Sequence, residues 1–220
     1  SDNFTNSDYN LKSVLYPEDH SLVTSGNLDD YVFYAEALLS LASISELVES
    51  GSSQLLINKS SRVISSVVAH FRDTSMPGYF YSKSELLPPP PARKKIWHDD
   101  AVPSGNSSLM RIFSHLSELT ENSQMKIELG EAKNAYSNLL SKSPMGLAWA
   151  LTALSEDAVG IVTIVSNHFS KDTIATISSK PHRPIYFRSD NSIKNTKVYL
   201  NGKIALTTQS VEEALDAIYE

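Results

Sequence analysis

Apolar residues recur at three- and four-residue steps from Leu28 to Leu154, and this period constrains the fold more than anything else in the sequence. In "NLDDYVFYAEALLSLASISELVES" the recurring positions are Leu28, Tyr31, Val32, Ala35, Leu38, Leu39, Ala42 and Leu47. Asn27 stands where an N-cap belongs, Asp29 and Asp30 occupy the first turn, where the helix dipole favours them, and Gly51 closes the helix. A second helix is predicted over about Gln54 to Arg72, with Leu56, Val63, Val67, Val68 and Phe71 on one side and serines on the other. A short Gly-Ser turn joins the two as an αα-hairpin. A third helix is predicted from Gly105 to Glu121 and a fourth from Ser123 to Ser141, with "ENS" as a second tight turn. The fifth opens with Ser143 as cap and Pro144 at the first helical position. The connection between the second and third helices is far longer than usual. In it "GYFYS" reads as a strand and Pro88 to Pro91 as stiff polyproline II.

At Asp157 the period changes. "AVGIVTIVS" is a β-branched run of the kind buried in a sheet, "SKDTIATIS" a short helix and "RPIYFRS" a strand. "TKVYLNGKIALT" is a strand pair folded at Asn201-Gly202, and "SVEEALDAIYE" a closing helix capped by Ser210, with Glu213 at the capping-box position. The chain is therefore expected to divide into a polar N-terminal segment that includes "VLYP" as a short strand (1–26), a helical-hairpin array (27–157) and a small α/β subdomain (158–220). The fold class is mainly α.

With 41% hydrophobic residues, 220 residues can bury a real core as a soluble globular protein. A net charge of −6, with Arg93-Lys94-Lys95 as the longest basic run, gives no footprint for nucleic acid or an anionic membrane. The absence of cysteine excludes a disulfide, a thiolate zinc site or a redox dithiol within these residues and accords with a cytoplasmic protein. No apolar run is long enough to span a bilayer, and "SDNFTNSDYN" lacks the features of a signal peptide. The chain begins with Ser, as a processed product or a piece of a longer protein would.

The stretch "IWHDDAVPSGNSSLMRIF" brings a histidine and two carboxylates up to a helix start. Ser104 or Asn106 can cap that helix, Gly105 permits close backbone approach, and the exposed amides can hold an anion or a substrate hydroxyl. His98, Asp99 and Asp100 can then supply acid, base or hydrogen bonds. The competing reading is a rigid cap whose carboxylates serve the dipole. Asp29-Asp30-Tyr31 has the same two readings, and both acidic pairs precede helices that begin hairpins, so both are placed on one rim. Aromatic residues including Tyr31, Tyr79 and Trp97 fall near these loops and can stack on a sugar or simply fill the core. The candidate ligand-binding residues are therefore Asp30, Tyr31, Trp97, His98, Asp100, Ser104 and Asn106. His70, His115 and His168 stand apart without ligand spacing, so no metal is expected. Val102 occupies the first glycine position of a nucleophile elbow, and "VYLNG" matches no phosphate loop, so neither a serine hydrolase nor a nucleotide cofactor is indicated. No cofactor is expected.

In order, "LDDYVFYAEALLSL", "GYFYS", "DDAVPSGNSSLMRIFSHLSELT" and "KVYLNGKIALTTQSVEEALDAI" resemble the C-terminal third of the YyaL-like proteins, which include the spermatogenesis-associated thioredoxin-like proteins. Leu28, Asp30 and Tyr31 match the pattern L-[ED]-D-Y-A, while Asp100, Ala101, Pro103, Ser104, Gly105, Asn106 and Ser107 match most of D-G-A-x-P-S-G-N-S. "DDA" replaces "DGA", and the strand pair lacks the cysteines common in relatives. The resemblance implies part of an α/α six-hairpin toroid related to N-acylglucosamine 2-epimerases and six-hairpin glycosidases, with the thioredoxin-like domain absent. It further implies rim loops that bind a carbohydrate-like small molecule, with isomerase- or glycosidase-like chemistry in a longer protein and an inactive isolated portion. The other class of function is a non-catalytic interaction module supporting a thioredoxin-like domain. Five helices cannot close a six-hairpin ring, so exposed helix faces are expected to meet the rest of a parent protein or a second copy.

Overall fold

Asn27 and Asp30 begin the first helix together: the Asn27 N–H donates to Asp30 Oδ2 at 2.7 Å in a reciprocal capping box. This computed structural model describes residues 11–13, 25–49, 51–85, 91–120, 122–170, 172–180 and 183–220. The strand expected at "VLYP" and most of the polyproline run lie outside them. The helix so capped, α1 (Leu28–Ser45), pairs with α2 (Ser52–Phe71), and α3 (Gly105–Leu119) pairs with α4 (Ser123–Leu140). A 3-10 turn over Pro144–Leu147 then leads into α5 (Ala148–Val159). The chain continues through β1 (Val162–Ser166), α6 (Asp172–Ser178), β2 (Ile185–Ser189), β3 (Thr196–Leu200), β4 (Lys203–Thr208) and α7 (Val211–Tyr219). The class is mainly α with a small mixed sheet.

α1, α3 and α5 lie side by side and parallel. Asp29 on α1 touches Gly105 at the start of α3, Glu36 reaches Arg111 one to two turns on, and Arg111 reaches Glu156 near the end of α5. α2 and α4 return on the outside. Tyr31, Val32, Val63, Val67, Phe71, Ile112, Phe113, Leu116 and Tyr136, all fully buried or nearly so, fill the space between them. The serines of α2 are not a solvent face throughout. Ser53 and Ser60 are buried and donate to the α1 carbonyls of Ala42 and Ala35 at 2.9 and 3.0 Å, since a small hydroxyl lets two helices approach closely while satisfying its own polarity.

Glu46, just past α1, ties the first hairpin. Its buried carboxylate accepts from the Gly51 and Ser53 amides at 2.9 and 3.0 Å and from Ser189 Oγ of β2 at 2.7 Å. It therefore caps α2 from outside that helix and fastens it to the sheet.

The sheet order is β2-β1-β3-β4, with β1 and β2 parallel and the other pairs antiparallel. Asn201 and Gly202 both adopt positive φ (49° and 72°), which gives the two-residue β-hairpin turn expected of Asn-Gly. One sheet face carries Val162, Ile164, Ile185, Phe187 and Val198, packed with Val211, Ala214 and Leu215 of α7 in a second cluster. Ser210 caps α7 by accepting from the Glu213 amide, and the Glu213 carboxylate reaches back to Gln209 N. The opposite face turns toward α1 and α2.

"GYFYS" does not form a strand. Tyr79 makes a single bridge to Arg72, and further backbone bonds run from Phe80 to Phe71 and from Tyr81 to Lys94, so the segment is extended and anchored piecemeal.

Candidate functional site

The two rim motifs meet. A Cβ on Gly105 would fall 2.6 Å from Asp29 Oδ1 and 2.9 Å from Leu28 Cγ, so the glycine of "PSGNS" is needed to seat α3 against the "LDDY" turn. Meeting, however, leaves these groups committed to one another. Asp30 Oδ2 is taken by Asn27 N and by Ser13 Oγ at 2.5 Å. Tyr31 is fully buried, its hydroxyl accepts from Leu11 N at 2.9 Å, and its ring meets Phe71 edge-on. Burial, only partly relieved by that bond, pushes the Tyr31 phenol up to about 12.

Ser104 is the cap of α3: its Oγ accepts from Ser107 N at 3.1 Å and donates to Trp97 O. Asn106 is not a cap. It is buried, its Oδ1 accepts from Tyr79 N at 2.8 Å, and its Nδ2 donates to Tyr79 O and Ile96 O, so it replaces the strand partner that Tyr79 lacks. Trp97 is half-buried and edge-on to Tyr136, 5.3 Å between centroids. The Tyr136 hydroxyl lies 3.0 Å from Ser107 Oγ and donates to Trp97 O; burial, outweighing its serine hydrogen bonds, lifts that phenol to about 12. The space left among Trp97, Asn106, Glu128 and Tyr136 is about 10 Å³, room for roughly one water molecule and not for a sugar.

His98 and Asp100 are exposed, and the working carboxylate of the pair is Asp99. Its Oδ1 accepts from Ser104 N at 2.9 Å and its Oδ2 from Trp149 N at 2.8 Å, which joins the starts of α3 and α5. Asp100, the position that the sequence resemblance singled out, makes no side-chain bond among the described residues. The structure thus brings Asp30, Tyr31, Ser104 and Asn106 to one rim and turns them inward. Around this rim the hydrogen bonds tie these groups into a joint between helices, with Asp29 Oδ1 left buried and without a hydrogen-bond partner among the described residues.

Two features lay outside the sequence reading because their residues come from distant segments. The first is a chain of titratable groups running from sheet to helices. Glu156, on α5, is held by Arg111 (Nε at 2.6 Å) and by His115 Nε2 at 3.0 Å, while His115 Nδ1 is 2.8 Å from the Tyr186 hydroxyl. Since a carboxylate only accepts, the bond to Glu156 requires a proton on Nε2 of His115. Burial raises Glu156, but the hydrogen bonds from His115 and Arg111 and the Arg111 charge outweigh it and bring the carboxyl down to about 2. Glu36, also bonded to Arg111 at 2.9 Å, is raised because burial dominates there. Burial likewise raises the Tyr186 phenol.

The second feature is a groove of about 500 Å³ at the opposite end of the hairpins from the rim, between α2, the end of α3 and the sheet. Its floor follows from the register: Thr163 pairs with Tyr186 on one side and Tyr199 on the other, so the three side chains form one row on the helix-facing side. Gln54 and Asn58, one turn apart on α2, form a wall; Gln54 Nε2 donates to Asn58 Oδ1 at 3.0 Å, and the remaining half of each amide is uncommitted among the described residues. Glu118 lies on the other wall, its carboxylate 3.6 Å from Lys126. Arg188 lies over the Tyr199 ring at 6.0 Å.

No protein-family model matches this chain, and no curated protein matches it. No helix among the described residues is long and apolar enough to cross a membrane. Among the same residues no His, Asp and Glu side chains are grouped so as to hold a metal ion.

Proposed function

We propose that the chain is a segment of an α/α toroid of the YyaL-like type that binds a hydroxylated, carbohydrate-like small molecule in a cytoplasmic setting. The groove between the hairpin returns and the sheet takes that ligand. The observation that carries this reading is the groove itself: about 500 Å³ falls within the range of small-molecule sites, and side-chain amides and tyrosine rings suit hydroxyls and the apolar face of a sugar ring. The parallel run of α1, α3 and α5 with α2 and α4 outside is the layering that a toroid segment requires.

A thermal-shift screen of neutral and acidic monosaccharides tests it. A ligand at 100 times its Kd adds about 2.7 kcal/mol, a rise of roughly 5–10 °C in Tm for a chain of this size. A shift lost in Asn58→Ala and retained in His98→Ala supports the groove, and the absence of a shift with every sugar refutes it.

A second reading, a non-catalytic interaction module, is favoured by a different observation. Leu41, Ile44 and Val48 follow one another along α1 and its extension and are 54%, 47% and 77% exposed. Such a stripe suits a neighbouring helix, from a parent protein or a second copy. Light scattering that shows a monomer at all concentrations would count against self-association.

A further inference from the structure

We propose that the ligand of the groove is acidic, a hydroxylated ring bearing one carboxylate or phosphate group that is met by Arg188 and Lys197. The inference rests on the groove reading above and adds the charge of the ligand to it.

It begins with the sheet register. Val165 pairs with Arg188 of β2 and with Lys197 of β3, one pleat beyond the Tyr186–Thr163–Tyr199 row and on the same face, because paired residues and residues two apart along a strand share a face. Arg188 lines the groove, and Lys197, outside its lining, flanks the same short valine from the other side at a strand spacing of roughly 10 Å, a gap that two long side chains can close on a single anion.

Neither cation is used elsewhere. Among the described residues Arg188 and Lys197 make no hydrogen bond and no ion pair. The Arg188 guanidinium carbon lies 6.0 Å from the Tyr199 ring centroid, and a guanidinium offers paired donors to a bidentate oxyanion. Asp190, whose carboxyl is lowered first by its hydrogen bonds from Ser192 and further by Arg188 and Lys197, marks where the two positive fields overlap. Across the groove Glu118 already has Lys126. In a chain of net charge −6 this sheet face sets two cations against the carboxylate of Asp190 beside a hydrogen-bonding cavity. A neutral sugar would leave the donors of both cations without a hydrogen-bond acceptor, the Asp190 charge acting on them from beyond hydrogen-bond distance.

Calorimetric titration of the intact chain with glucose, glucuronate, glucose 6-phosphate and inorganic phosphate tests the inference. Glucuronate or glucose 6-phosphate is expected to bind at least tenfold more tightly than glucose, and the tighter of the two names the anionic group. The preference should fall at least tenfold in Arg188→Ala and in Lys197→Ala, with far-UV circular dichroism confirming the fold. Equal affinity for glucose and both acidic sugars overturns the inference and leaves the groove reading standing. Phosphate binding as tightly as glucose 6-phosphate overturns the part played by the ring. A preference unchanged in both variants overturns the assignment to these cations. Absence of binding by all four probes overturns the inference together with the groove reading.

Discussion

Asp99→Ala is the most discriminating substitution, because Asp100 sits beside it and the D-G-A-x-P-S-G-N-S resemblance points to Asp100. The Asp99 carboxylate accepts two backbone amides, Ser104 N at 2.9 Å and Trp149 N at 2.8 Å, at the starts of two helices. Each charge-assisted bond contributes about 1.5–3 kcal/mol, and the two share one group, so their losses are not additive. Truncation is expected to cost about 3 kcal/mol, or roughly 6–12 °C in Tm for a chain of this length. Asp100→Ala, at an exposed position without a side-chain bond among the described residues, is expected to move Tm by no more than roughly 2 °C. Differential scanning calorimetry of both variants at neutral pH decides the matter. Equal shifts, or a larger one in Asp100→Ala, would refute the claim that Asp99 joins α3 to α5.

Three further outcomes are expected. Gly105→Ala should destabilise by about 1–3 kcal/mol through its clash with Asp29 and Leu28, whereas Gly130→Ala, exposed in α4 with open space around it, should stabilise by up to about 1 kcal/mol in chemical denaturation. Glu46→Ala, which deprives α2 of its external cap and Ser189 of its acceptor, should cost about 2–3 kcal/mol and raise amide exchange at Gly51 and Ser53. Because the folded Glu156 carboxyl lies below its unfolded value, its contribution is complete above about pH 5 and is lost as pH falls toward 2; at about 3 kcal/mol, that loss should be missing from a Glu156→Gln titration of Tm.

The helices were legible because apolar spacing is local, and so were the Asn201-Gly202 turn and the Ser210 cap, where one or two residues dictate the geometry. The rim was half legible. Its two motifs adjoin as their shared position at hairpin starts implied, but sequence spacing cannot say that Asn106 faces Tyr79 or that Asp30 faces Ser13. "GYFYS" has strand composition, yet a side-chain amide and scattered carbonyls satisfy its backbone, and composition does not register such partners. The Arg111–Glu156–His115–Tyr186 chain has bonds between residues as many as 71 positions apart, the groove is lined from Ser53 to Gly202, and no local pattern connects either set.

The common direction of α1, α3 and α5 has an electrostatic corollary. α1, α3 and α5 all begin at the rim while α2 and α4 begin at the opposite edge, so three helix N-termini, each with its own partial positive charge, gather on one side of the array. Asp29, Asp30 and Asp99 are the counter-ions of that edge, built into the chain instead of drawn from solvent. Part of the acidic balance of this sequence thus stands where the topology collects helix starts, at one end of the hairpins and not the other.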